Sequence, residues 1–139
     1  MEIKTLKTTI TSIDKIFHIS DIHIRTLKRH KEYEQVFERT YEEVRKNKDN
    51  AVAYIGGDIA HSKTDMSPEL VDQLSRLLKN LADICPTIII AGNHDCNLNN
   101  RSRLDVLTPI VDNLNHPNLH YLKDSGVYKC ADTTFVVWD

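Results

Sequence analysis

The stretch Ala51-Val52-Ala53-Tyr54-Ile55-Gly56-Gly57-Asp58-Ile59-Ala60-His61 decides the fold. Five apolar residues in a row, preceded by Asn50 and followed by two glycines, read as a short strand. The paired glycines leave the backbone room to turn over where the strand ends. A carboxylate, Asp58, and an imidazole, His61, follow at once. In parallel sheets ligands gather at the carboxyl ends of the strands.

Working outward, the same pattern recurs on both sides. Upstream, Lys15-Ile16-Phe17-His18-Ile19-Ser20 reads as a buried strand that runs into Asp21-Ile22-His23. Downstream, the β-branched run from Thr87 to Ala91 reads as a third strand that runs into Gly92-Asn93-His94-Asp95. Helical periodicity separates them. Residues 32–47 place Tyr33, Val36, Phe37, Tyr41 and Val44 on one helix face. Ser67-Pro68 is a helix start, a cap followed by proline at the first helical position. The helix it opens carries Leu70, Val71, Leu74, Leu77, Leu78 and Leu81 on its apolar face. Strand, helix, strand, helix, strand predicts βαβ units and a mainly parallel sheet. Residues 103–114 suggest a third helix, weakened by Pro109, and residues 118–122, 126–130 and 133–138 suggest short strands. Residues 1–13 read as either an extra strand or an arm.

Composition bounds the function. The chain has 139 residues, 40% hydrophobic and 27% charged, which suits a single domain with its own core. No apolar run is long enough to span a membrane. Cys85, Cys96 and Cys130 are an odd number without close spacing, against a disulfide framework or a zinc knuckle. With no signal-peptide layout at the N-terminus, they point to an intracellular setting, cytoplasm or nucleus. Eighteen basic against twenty acidic residues give a net charge of −2, unlike a protein that coats nucleic acid. The charge is uneven: residues 1–31 hold seven basic and three acidic side chains, a net of +4. Arg25, Lys28 and Arg29 cluster beside the first motif, where they could meet a phosphate backbone.

The chemistry follows from residue type and spacing. Asp21 and His23 are two apart, so in extended chain they point the same way and can share one metal. Carboxylate with imidazole suits manganese, iron or zinc better than calcium. Asp58 can lie between two cations, Asn93 offers a neutral oxygen, and His94 can donate a proton to a leaving oxygen. Each motif alone is common; the three in order, each after a strand, are not.

Together these residues resemble the calcineurin-like metallophosphoesterase superfamily. Its motifs are Asp-x-His, Gly-Asp, Gly-Asn-His-Asp/Glu, a later His, and Gly-His-x-His. The resemblance covers roughly residues 15–138, and Gly-Gly-Asp-Ile-Ala-His is most similar to the SbcD-like and meiotic-recombination-type DNA double-strand-break repair nucleases. It implies an α/β fold: a β-sandwich flanked by helices (αββα), here incomplete on its C-terminal side, with residues 1–139 as the N-terminal part of the nuclease domain. It implies two divalent metal ions, Mn2+ by preference, with Asp21 and His23 on the first, Asp58 bridging and Asn93 on the second. His94 would be the catalytic acid, and His61 the neighbouring histidine that helps place DNA. It further implies DNA as substrate, a homodimer, and a coiled-coil ATPase partner of the SMC type for the full-length protein. Two departures stand out. Ala60 replaces an aromatic residue, and no Gly-His-x-His is present. After His94 only His116 and His120 remain, and they read as solvated loop residues. Two other readings stay open: a phosphodiesterase of the same superfamily acting on small substrates, and a module that binds without cutting.

Overall fold

The computed structural model describes residues 2–20, 22, 30–57, 68–90 and 107–138, with His30 described by its backbone alone. In chain order the elements are β1 (Ile3–Thr5), β2 (Lys15–Ile19), α1 (His30–Lys46), β3 (Ala51–Ile55), α2 (Pro68–Ile84), β4 (Thr87–Ile89), α3 (Leu107–Leu114), β5 (Leu119–Tyr121), β6 (Gly126–Cys130) and β7 (Thr133–Val137). They form two sheets. The larger has the order β2-β3-β4-β5 and is parallel throughout. The smaller has the order β1-β6-β7, with β1 parallel and β7 antiparallel to β6. The first residues are therefore a strand, Ile3 opposite Val127, and not a free arm.

Two cores make this a layered structure. Strand alternation sends Ala53 and Ile55 of β3 to one side, where they meet the helices. Val52 and Tyr54 go to the other, where they meet the small sheet through Tyr128, Cys130, Phe135 and Val137. This explains why β3 is apolar at every position: each face has a layer upon it. On α2, Leu70, Leu74, Leu77, Leu78 and Leu81 are all at most 1% exposed. Their i, i+4, i+7, i+8, i+11 spacing makes one continuous stripe against the sheet. The result is a mixed α/β structure with helices, a parallel sheet and a mixed sheet as successive layers.

The helix boundaries follow from capping rules. α2 begins at Pro68, whose missing N–H is one of the four that a helix start leaves unpaired. Pro109 likewise falls in the first turn of α3, where it breaks no intrahelical bond. The periodicity expected that helix from residue 103, but residues 103–106 lie outside the described residues. One expectation fails on α1. Phe37, Tyr41 and Val44 are buried as predicted, yet Val36 is 54% exposed. Phe37, Tyr41 and Val44 face the helix-side core, while Val36 lies on a flank of α1 that the described residues leave uncovered.

The small sheet leaves apolar surface uncovered. Ile3, Val127 and Val136 stand in one register row across its three strands. Ile3 and Val136 at its ends are exposed, as is Trp138 just beyond β7. Ile16 on β2 pairs with Val52 and points to the inter-sheet side, but it too is exposed. Among the described residues, no helix is long and apolar enough to cross a membrane.

Candidate metal centre at the carboxyl edge of the parallel sheet

β2, β3 and β4 are adjacent and parallel, so their carboxyl ends share one edge. Neighbouring strands lie about 4.8 Å apart, so the three ends fall within about 10 Å. The ladder continues past the strand ends. The Gly56 N–H donates to the Ile19 carbonyl at 2.8 Å, and the Ile90 N–H to the Ile55 carbonyl at 3.0 Å. Carried one residue further, this register sets Ser20, Gly56 and Ile90 side by side, one or two residues ahead of Asp21, Asp58 and Gly92.

The glycines at this edge fit a close approach of β3 to β2. A Cβ on Gly56 would stand 3.0 Å from His18 Nε2 and 3.2 Å from Ser20 Cβ. Gly57 has φ 97°, which a residue with a Cβ rarely adopts. The two together hold β3 close against β2 where the motifs begin.

Every residue assigned to the site lies outside the described residues. That applies to the expected metal ligands Asp21, His23, Asp58 and Asn93, to His61 and His94, and to Arg25, Lys28 and Arg29. Cys96 and Ala60 are outside them as well. Among the described residues, no group of three or more His, Cys, Asp or Glu could hold a metal ion. The carboxylate, imidazole and amide donors expected at this edge are chemically suited to a divalent cation.

The described histidines and cysteines have other work. His116 is not a solvated loop residue. Its Nε2 lies 2.7 Å from Asp83 Oδ1, and its Nδ1 accepts the Asn118 N–H at 3.1 Å. Asn118 in turn donates its side-chain amide to the Ala82 carbonyl, closing the end of α2. The bonds from Lys79 and His116 hold the Asp83 carboxyl below its ordinary range. His116 precedes β5, at the sheet edge opposite the motifs. His120 is also not in a loop. It lies within β5 opposite Ile88, and its Nε2 is buried without a hydrogen-bond partner. Burial lowers its pKa, and a bond to the Lys7 backbone opposes that shift. Cys85 and Cys130 are buried in different cores, and burial raises both thiols, so neither offers a ready thiolate.

The sequence reading passed over His18. Pairing with Tyr54 puts it on the inter-sheet side. Its ring meets Tyr54 edge-on at 5.3 Å, and Tyr54 stacks on Phe135 at 6.2 Å. The available signal was period two: His18 shares a face with Ile16 and, through the register, with Tyr54.

Comparison with known proteins supplies the remaining evidence. The calcineurin-like phosphoesterase family pattern matches residues 14–137. The chain is also 48% identical over 130 residues to "Uncharacterized protein R555" of Acanthamoeba polyphaga mimivirus. That alignment takes in 91% of this chain and 10% of the viral protein, so the chain spans about a tenth of that relative's length. With three strand ends meeting at one edge ahead of Asp-x-His, Gly-Asp and Gly-Asn-His-Asp, and the family pattern running nearly end to end, this chain belongs to the calcineurin-like phosphoesterase family.

Proposed function

We propose that the chain carries the metal-binding edge of a DNA nuclease of the SbcD-like, meiotic-recombination type. The family's chemistry is metal-dependent phosphoester hydrolysis on divalent metal ions; the DNA substrate, a repair role and Mn2+ are the proposal. In this reading Asp21, His23, Asp58 and Asn93 hold two metal ions, and His94 protonates the leaving oxygen. His61 and the basic group Arg25, Lys28 and Arg29 position the phosphate backbone. When bound, the ions polarise the scissile phosphate and lower the pKa of an attacking water. The observation that supports this reading most is the meeting of the β2, β3 and β4 ends at one edge, each directly ahead of one motif. The family's Gly-His-x-His is not among these 139 residues. A homodimer and a coiled-coil ATPase partner belong to the same proposal, for the whole protein in the cytoplasm or nucleus.

The test is cleavage of linear duplex DNA with added Mn2+. The wild type should cut, Asp58→Ala should abolish cutting, and His94→Ala should lower it by about 10²- to 10⁴-fold, the usual worth of a general acid. Cleavage that survives both changes refutes the proposal. Hydrolysis of a small phosphodiester but not of DNA favours the small-substrate reading. Tight Mn2+ or DNA binding with no turnover of either substrate favours the binding module.

A further inference from the structure

β5 is an outer strand of the large sheet, three residues long and paired with β4 alone. Asn118, just ahead of it, fastens its entry. The Asn118 carbonyl accepts the Thr87 N–H at 2.8 Å, at the start of β4. Its side-chain amide donates to the Ala82 carbonyl at 3.1 Å, in the last turn of α2. Its own N–H donates to His116 Nδ1 at 3.1 Å. The other ring nitrogen, Nε2, lies 2.7 Å from Asp83 Oδ1.

These two partners fix where the ring carries its hydrogen. A backbone N–H only donates, so Nδ1 presents its lone pair. An ionised carboxylate only accepts, so the hydrogen is on Nε2. A second proton can go only to Nδ1. The imidazolium then donates from both nitrogens, yet one of its two partners is itself a donor. Turning the ring over does not help, since the same two partners remain. The Asp83 side is kept as a charge-assisted bond, and the Asn118 side is lost. The side chain is 18% exposed, so solvent protons reach it. The charged groups that face it come from α2: Asp83, and Lys79 on the other Asp83 oxygen at 2.8 Å. Among the described residues, no ion pair reaches the ring from α3, β4 or β5. The bonds to Asp83 hold its carboxyl below the ordinary range, so it stays charged while an imidazole titrates.

We propose that His116 is an acid-sensitive latch on β5: neutral, it fastens Asn118, and protonated, it releases the Asn118 N–H and frees the entry of the strand. An N–H left facing an imidazolium N–H must turn away to find another acceptor. That turn carries the Asn118 carbonyl off Thr87 and its side-chain amide off Ala82. One proton thereby loosens the junction of α2, β4 and β5.

The experiment uses the whole chain without metal, so its outcome is separate from that of the nuclease reading. NMR follows the His116 ring nitrogens and the hydrogen-exchange protection of backbone amides between about pH 8 and pH 5. At the upper end the ring should be the Nε2–H tautomer. As pH falls, protection of the Asn118 and Thr87 amides should drop about tenfold, with the same midpoint as the His116 ring signals. The Leu77 amide, inside α2, should not change. His116→Gln takes up no proton in this range, so its protection should no longer depend on pH. His120→Phe, which removes the imidazole within β5, should leave the transition in place. Several outcomes overturn the proposal: a ring with its hydrogen on Nδ1 at the upper end, flat Asn118 protection through the His116 titration, or a drop shared by Leu77. So does a transition that survives His116→Gln or vanishes in His120→Phe. The ring signals and protection of the wild type decide the matter even should a variant not fold.

Discussion

Gly56→Ala probes how tightly the motif-bearing strands are held. The new Cβ would meet His18 Nε2 at 3.0 Å and Ser20 Cβ at 3.2 Å. The backbone has little freedom to retreat, because the Gly56 N–H is bonded to Ile19 at 2.8 Å. The imidazole is the softer neighbour and would swing away from Tyr54. An edge-on aromatic contact contributes about 0.5–1.5 kcal/mol, and His18 is exposed, so the lower end applies. Squeezing Ser20 adds a few tenths, giving a total loss of about 1 kcal/mol. Urea unfolding at neutral pH measures it, with an unchanged slope as the check that only stability moved. The decisive arm is the double-mutant cycle with His18→Ala. Without the imidazole only the Ser20 contact remains, so the loss from Gly56→Ala should fall by about 0.5 kcal/mol, the lower end for side chains in contact. An equal loss in both backgrounds would refute the reasoning.

Three further predictions follow from particular residues. Ala131 has φ 54° in the two-residue turn between β6 and β7, a conformation that costs a residue with a Cβ about 1–2 kcal/mol. Ala131→Gly should therefore raise stability by about 0.5–1 kcal/mol after the added freedom of the unfolded chain, read as a higher urea midpoint. Leu74 is fully buried under α2, so Leu74→Ala should lose about 2–5 kcal/mol in the same unfolding assay. Burial lowers the pKa of His120 in the folded state, so the unfolded chain takes up a proton first. Stability should be full above the unfolded value near 6.5, fall as pH drops below it, and level off below the folded pKa. Thermal melts from pH 8 down to pH 4.5 should show that slope reduced in His120→Phe, and an unaltered slope would remove His120 as its source.

Much of the parallel sheet was legible because its signals are local. A five-residue apolar run, a Ser-Pro helix start and a leucine stripe each report on neighbours within a few positions, and β3 and α2 match them closely. The motifs were legible for the same reason, since each is contiguous and follows a strand. Val36 was misread because periodicity tells which face is apolar and not how wide a contact the neighbouring elements make. His116 and His120 were misread because their surroundings are supplied from far away in sequence, by Asp83 in one case and by Ile88 and Lys7 in the other.

The sequence by itself determined the order of strands and helices and the position of each motif at a strand's end. These depend on backbone preference and on the alternation of apolar side chains, which act over a turn or a strand. Only the tertiary structure decided that residues 3–5 join β6 more than a hundred residues later, and that the strands divide into two sheets with a core on either side of β3. It also decided that β2, β3 and β4 lie next to one another in that order. Strand pairing satisfies backbone hydrogen bonds that are the same for every residue, so the choice of partner rests on which faces can be buried together, and that choice belongs to the whole chain.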